Sequence, residues 1–139
     1  MTMKRKILAV VAGFVLLVAG RYLIHSVWLA GVYAANATLW RTQTDMLHHL
    51  WAIHLANLTL ATAAVLIYVR GVKTRPWLGQ GIRYGFLLAL ATAIPQSMVE
   101  YFTYPVTSTI AVQWIIGEGA LAVLLGVVVA AICRPKPAA

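Results

Sequence analysis

The sequence predicts an all-α protein: an integral membrane bundle of four transmembrane helices with both termini in the cytoplasm. Composition is the first reason, because 62% of the 139 residues are hydrophobic and only 10% are charged, whereas soluble domains carry about 25% charged residues. The second reason is that the apolar residues form long runs instead of alternating with polar residues. The third is that basic residues flank these runs, as membrane topology requires.

Charge and cysteine content exclude several classes of binding partner and of redox or metal chemistry. The net charge of +8 at pH 7 does not indicate a nucleic-acid partner, because the basic residues neither cluster on a soluble face nor interleave with exposed aromatic residues. Cys133 is the only cysteine, which excludes an internal disulfide and a CxxC redox or zinc motif. We therefore expect one transmembrane domain over residues 1–139, which contacts the lipid bilayer and forms a homo-oligomer or joins a larger membrane complex.

The first helix is predicted at about residues 7–33. A basic triplet at residues 4–6 precedes an apolar run from Ile7 to Gly20, an arrangement that also begins secretory signal peptides. The apolar character resumes after Arg21 and continues to about Ala35, so an uncleaved helix is the better interpretation. Its length is sufficient to cross the bilayer with some tilt.

The other three helices are predicted at about residues 46–69, 80–104 and 109–133. Glycine and proline in the connecting segments and after the last helix interrupt the apolar runs. Small residues recur every fourth position, as Gly81 and Gly85 in the third helix and as Ala122, Gly126 and Ala130 in the fourth. This spacing favours close packing of helices in lipid.

The distribution of basic residues predicts the orientation. Nine of the eleven lysine and arginine residues fall on one side of a four-helix arrangement: Lys4, Arg5, Lys6, Arg70, Lys73, Arg75, Arg83, Arg134 and Lys136. Because basic residues are retained on the cytoplasmic side, we expect both termini and the 70–81 connection in the cytoplasm. The connections at 34–46 and 105–109 then face outward. This pattern is typical of a multi-pass protein of a bacterial inner membrane.

Three short patterns carry a family resemblance. They are Gly20 to His25 late in the first helix, Gly81-Ile82-Arg83-Tyr84-Gly85 at the start of the third, and Arg134-Pro135 after the fourth. In this order of elements the chain resembles small bacterial four-helix integral membrane proteins of unknown function, although its first pattern is one residue longer than theirs. The resemblance covers most of the chain and implies the four-helix architecture, but it implies no activity.

The third helix carries a polar stripe inside its apolar sequence. Thr92, Gln96, Glu100 and Tyr104 recur every fourth residue, so they lie on one face of a helix. A carboxylate in a membrane span is energetically expensive and requires a partner. Pro95 lies within this stripe and is expected to loosen the backbone hydrogen bonding one turn before it.

Helical rise places polar residues from all four helices in the outer half of the bilayer. The predicted ligand or ion pocket consists of Arg21, His25, His54, Asn57, Gln96, Glu100, Tyr104 and Glu118. Because exposure of these groups to lipid is costly, we expect them to face one another. Arg21 is predicted to lie within ion-pair distance of Glu118 or Glu100, and Glu118 is the better candidate because it lies deeper.

Several functions are compatible with this cluster. The favoured hypothesis is a structural or accessory membrane subunit, or a membrane protein that binds a small ligand, with the Arg21 pair holding helices in register. A proton- or cation-coupled small transporter is one alternative, since carboxylates beside a weakened helix build transport sites. A haem- or transition-metal-binding electron-transfer protein is another, because His25 and His54 lie on different helices at similar depth. No nucleophile–base–orienter set is recognisable, so an enzyme is not favoured.

Overall fold

The computed structural model describes residues 2–72 and 76–134, and within these ranges every regular element is helical. The α-helices are α1 (Met3–Arg21), α2 (Ala30–Ala35), α3 (Gln43–His48), α4 (Leu50–Gly71), α5 (Trp77–Ala91), α6 (Ala93–Thr103) and α7 (Ser108–Cys133). A π-helix over Tyr22–Trp28 continues α1, and a 3₁₀-helix over Ala37–Leu39 follows α2.

Four stretches of this chain are long and apolar enough to cross a membrane. These candidate spans are Met3–Trp28, Leu50–Gly71, Trp77–Thr103 and Ser108–Cys133. They confirm the predicted all-α architecture with four helices of membrane-spanning length and composition. The spans are numbered first to fourth below.

A single residue outside helical geometry marks the end of the first span, and another marks the beginning of the second. Leu29 has φ −94° and ψ 3°, so it separates the first span from the short helix α2. The apolar pattern predicted a first helix that continues to residue 33. In the structure it is instead interrupted at Leu29. His49 has φ −106° and ψ 10° and separates α3 from α4. The second span consequently begins at Leu50, later than the predicted residue 46.

The third span is divided at Thr92, where φ is −125° and ψ is −67°. Pro95 has no N–H group, and in a continuous helix its ring would clash with the carbonyl of Ala91 four residues earlier. The division therefore lies where the sequence predicted weakened backbone hydrogen bonding. Thr92 Oγ1 donates to the carbonyl oxygen of Leu88 at 2.7 Å, so a side chain stabilises the end of α5.

Helix α7 packs against α1, α4, α5 and α6. Its closest approach is to α5, where glycines allow the two backbones to meet. A Cβ atom added to Gly126 would lie 2.5 Å from Gly85 Cα, and one added to Gly85 would lie 2.5 Å from Val123 Cα. The spacing of small residues predicted this type of contact, in which helices approach closely because side chains are absent.

The two ends of the bundle contain different clusters of buried residues. At one end, Arg5 Nη1 donates to the carbonyl oxygen of Arg134 at 3.2 Å, which brings the two ends of the described chain together. A core that includes Val65, Leu125 and Val129 extends from this end toward the middle. The second cluster, at the opposite end, comprises Leu29, Val106, Ile110 and Trp114.

Large apolar side chains cover the outside of the spans. Leu8 on α1, Ile67 on α4, Phe86 on α5 and Leu124 on α7 are each more than half exposed. A helix bundle with apolar side chains on its outside is suited to contact with lipid. Four residues used in the sequence interpretation fall outside the described ranges, namely Lys73, Arg75, Pro135 and Lys136.

Candidate functional site

Arg21 at the end of α1 forms a forked ion pair with Glu118 in the middle of α7. Its Nε atom lies 3.2 Å from both carboxylate oxygens, and its Nη2 atom lies 3.1 Å from Oε2. The remaining nitrogen, Nη1, donates to Oδ1 of Asn57 on α4, whose side chain is buried. The predicted Arg21–Glu118 pair is confirmed. One guanidinium thus links three spans, because its planar fork suits a carboxylate and leaves another donor free.

His25 connects the same carboxylate to aromatic residues. Its Nε2 atom lies 3.1 Å from Glu118 Oε1, and its Nδ1 atom lies 2.6 Å from Tyr33 Oη. Trp114 Nε1 donates to that hydroxyl oxygen at 2.6 Å. Since a carboxylate only accepts, neutral His25 carries its proton on Nε2 and accepts at Nδ1 from Tyr33. The donors therefore form a directed chain from Trp114 through Tyr33 and His25 to Glu118.

Tyr33 lies in the connection between the first and second spans. Burial raises the pKa of its hydroxyl above that of a free phenol, and the negative charges of Glu100 and Glu118 act in the same direction. The hydroxyl is protonated at physiological pH, as a free phenol also is, so it is able to donate to His25. No pattern of residue types marked Tyr33 as a site residue, because its contact with His25 depends on the change of direction after the π-helix.

The π-helix over Tyr22–Trp28 also brings α7 close to the first span. Its wider turn is seen in the hydrogen bond from Leu29 N to Ile24 O, five residues apart, at 2.9 Å. Gly117 packs against this turn, since an added Cβ atom would lie 3.0 Å from Ile24 Cγ2. The absence of a side chain at Gly117 lets the neighbouring Glu118 approach the turn that carries the histidine. Single π-helical turns within α-helices occur frequently at functional sites.

A cleft of about 670 Å³ lies beside the ion pair, and all four spans contribute to its walls. Its lining residues are Leu17, Arg21, His25, Ile53, Leu60, Ala91, Thr92, Ala93, Pro95, Gln96, Ser97, Val99, Glu100, Trp114, Glu118, Leu121 and Ala122. Most of these side chains are apolar, and a few polar and charged groups converge among them. Small-molecule sites in proteins have volumes of roughly 300–1,000 Å³ and linings of this mixed kind.

Glu100 is the second carboxylate of the cleft and differs from Glu118 in its partners. Gln96 Nε2 donates to Glu100 Oε1 at 2.8 Å, so the side-chain partner of Glu100 is an amide on its own helix. Glu118 is ion-paired with Arg21 and lies within hydrogen-bond distance of His25. In the described part of the chain, no lysine, arginine or histidine lies within ion-pair distance of Glu100. Glu100 is therefore the carboxyl group of the cleft that has no cationic partner among the described residues.

Three of the eight predicted pocket residues do not line the cleft, namely His54, Asn57 and Tyr104, and of these only Asn57 contacts the ion pair. The His54 ring packs against Phe14 with ring centroids 6.1 Å apart, and the His54 side chain is exposed on α4. Tyr104 follows α6, is 47% exposed and does not line the cleft. Four predicted residues meet in direct contact, namely Arg21, His25, Asn57 and Glu118. The remaining two, Gln96 and Glu100, line the cleft beside them.

The histidine positions do not fit the alternative of a haem or transition-metal site. Both ring nitrogens of His25 already have hydrogen-bonding partners, and His54 lies outside the cleft. Within residues 2–72 and 76–134, no group of three or more histidine, cysteine, aspartate or glutamate side chains could hold a metal ion. The structure therefore does not bring His25 and His54 together at one site.

Comparisons of the chain with protein-family models, with curated proteins and with solved structures find no match. The class of protein is described by its fold and site: four candidate membrane spans surround an Arg–Glu–His cluster, and a cleft with apolar and charged walls lies beside that cluster. Its function has to be inferred from these contacts.

Proposed function

We propose that this is a multi-pass protein of a bacterial inner membrane that binds a small amphipathic ligand in the cleft. The observation that carries the proposal is a 670 Å³ cavity whose mostly apolar walls also present charged side chains. A ligand with an apolar body and one polar group would find complementary surroundings for both parts. Residues of α4 and α6 both line the cleft, and we propose that the ligand enters between these two helices.

The orientation follows from the end at which basic residues gather. Arg5 contacts Arg134, so residues that flank the first and last spans lie at one end of the bundle. The positive-inside rule assigns this end to the cytoplasm. The cleft and the cluster around Tyr33 belong to the opposite half, because Arg21 and His25 come late in the first span. We therefore assign the cleft to the outer half of the membrane, with both termini in the cytoplasm.

The packing below the cleft favours binding over transport. Leu17 and Leu121 line the cleft and also belong to the core that continues toward the cytoplasmic end. Val65, Leu125 and Val129 in that core are fully buried. A carrier needs a passage on each side of its site in turn, and this close packing does not provide a second one. A ligand-binding or accessory protein is therefore the better proposal than a coupled transporter.

A purely structural cluster is the other candidate, but it leaves part of the site unused. Arg21, Asn57 and Glu118 satisfy one another and link α1, α4 and α7 without any ligand. Such a network holds helices in register. It does not require a cavity beside it, nor a second carboxylate facing that cavity. We infer that the network forms the rigid side of a binding site as well as a structural link.

Filling the cleft is expected to abolish the binding of small amphipathic probes. Ala91 is exposed and lines the cleft, so Ala91→Phe fills it without entering the core. Ala120 is exposed on α7 and does not line the cleft, which makes Ala120→Phe the matched control. Equilibrium dialysis of neutral triphenylphosphine oxide against protein in phosphatidylcholine nanodiscs, with empty nanodiscs subtracted, measures the binding.

The wild type and Ala120→Phe are expected to bind this probe with similar affinity, and Ala91→Phe to lose at least about tenfold, which corresponds to the loss of a modest apolar contact area. Equal binding by all three proteins would mean that the probe binds elsewhere, which would contradict binding in the cleft. No binding above empty nanodiscs would contradict the proposed function.

A further inference from the structure

The charge balance of the cleft indicates which ligands it accepts. Arg21 is paired with Glu118, and its last donor nitrogen is bound by Asn57. The only cation of permanent charge that lines the cleft is thus already neutralised within the described chain. Glu100, by contrast, has an amide as its partner, which cannot cancel its charge. A carboxylate in a membrane-spanning segment is stabilised chiefly by a nearby cation.

From this balance we propose that the ligand is a lipophilic monocation, an amine or a quaternary ammonium or phosphonium group with an apolar body, and that Glu100 is its counter-charge. The inference rests on the proposed function, because it names the ligand class of the same cleft. The apolar walls would receive the body of the ligand, and Glu100 would attract the charged centre. The attraction between the charges needs no directional hydrogen bond, so a cation without N–H groups is also a suitable ligand.

The residues around Glu100 support its assignment as the counter-charge and the assignment of the apolar walls to the body of the ligand. Gln96 holds one oxygen of Glu100 at 2.8 Å and leaves Oε2 without a side-chain partner in the described residues. Val99 and Pro95 lie on the same helix and line the same wall, so they place apolar surface beside the carboxylate. An anion would meet Glu100 without a free cation to compensate it. The cleft therefore selects against negative charge as well as for positive charge.

Two ions of nearly the same shape test this selection. Tetraphenylphosphonium and tetraphenylborate differ in the sign of their charge but have closely similar apolar surfaces. Equilibrium dialysis against the wild-type protein in phosphatidylcholine nanodiscs, with empty nanodiscs subtracted, gives both affinities. We expect tetraphenylphosphonium to bind at least about tenfold more tightly, which a single unscreened charge pair readily supplies.

Neutralising Glu100 is expected to remove this preference. Glu100→Gln keeps the shape of the side chain and its contact with Gln96, so the cation should lose at least about tenfold in affinity and with it the advantage over tetraphenylborate. Asp45→Asn is the matched control, since it removes one negative charge from a carboxylate that lies in α3, outside the cleft. Glu100→Asp keeps the charge and is expected to retain the preference.

The outcomes separate the two proposals. Equal affinity of the wild type for both ions, or a preference that survives in Glu100→Gln, overturns the assignment of Glu100 and of the cation. Binding of the neutral probe that still depends on Ala91 would in that case leave the proposed function standing. If none of the three probes binds above empty nanodiscs, both proposals fail. A preference that Asp45→Asn reduces equally would reflect the overall charge of the protein and would also overturn the inference.

Discussion

Replacing Glu118 with alanine is expected to destabilise the protein by about 3 kcal/mol, the lower end of the cost of breaking a buried ion pair. The lower end applies because the Arg21 and Glu118 side chains are 23% and 18% exposed. The cause is the charge left behind: Arg21 would lose its anion, and His25 would lose the acceptor of its Nε2 proton. The free energy of unfolding in mixed micelles, measured by titration with a denaturing detergent, gives the loss directly.

Two further variants separate a lost pair from a lost side chain. Arg21→Met combined with Glu118→Leu removes both charges and is expected to recover much of the stability, since an apolar replacement of a buried pair is often neutral. Asp45→Ala breaks an exposed pair, in which the Arg41 side chain is 63% exposed and the Asp45 side chain 41% exposed. It should therefore change stability little. If Glu118→Ala costs no more than Asp45→Ala, the cluster does not stabilise the bundle.

The second large effect is expected from Gly126→Ala. The added Cβ atom would lie 2.5 Å from Gly85 N and Cα and 2.5 Å from Gly81 O. These are backbone atoms, which cannot move aside by rotating a side chain, so α5 and α7 must separate. We expect a loss of about 3 kcal/mol, the upper end of the usual cost of overpacking, with the same detergent titration as readout.

Gly119→Ala on the same helix is the matched control for this substitution. Among the described residues, no atom outside the local backbone of α7 lies within 4 Å of a Cβ added to Gly119, and alanine is favoured over glycine inside a helix by about 1 kcal/mol. Gly119→Ala is therefore expected to maintain or raise the free energy of unfolding. A loss in Gly126→Ala no larger than the change in Gly119→Ala would contradict the close contact between α5 and α7.

The sequence was sufficient to predict features that depend on local chemistry. The length and apolar character of the four runs identified the four candidate spans, because crossing a bilayer requires about 20 apolar residues in helical form. Pro95 predicted the interruption that divides the third span at Thr92. The Arg21–Glu118 pair could be predicted from the sequence because a charge in an apolar span requires a partner of opposite charge, and few residues were available as that partner.

The rest of the site could not be predicted, because a span is apolar on all sides. The direction in which His54 points depends on the rotation of α4, and no polar face fixes that rotation when lipid and protein interior are equally apolar. Its ring packs against Phe14 on the outside of the cleft. The contact between His25 and Tyr33 depends on the π-helix and on Leu29, whose backbone angles no residue pattern indicated.

The most direct test of a cleft that opens to the outer half of the membrane is the accessibility of a cysteine at position 91. In a Cys133→Ala background, Ala91→Cys places the only thiol in the cleft, and Ala120→Cys places it on the outside of α7. Thr2→Cys marks the side of the N-terminus. A charged, membrane-impermeant methanethiosulfonate reagent is applied to right-side-out and to inside-out vesicles.

We expect Ala91→Cys to react only from the outside, because a thiol ionises and reacts in water and not in lipid. Thr2→Cys should react only from the cytoplasmic side, and Ala120→Cys from neither side. Reaction of Ala91→Cys from the cytoplasmic side, or its failure to react while Thr2→Cys is labelled, would contradict a water-accessible cleft that opens outward.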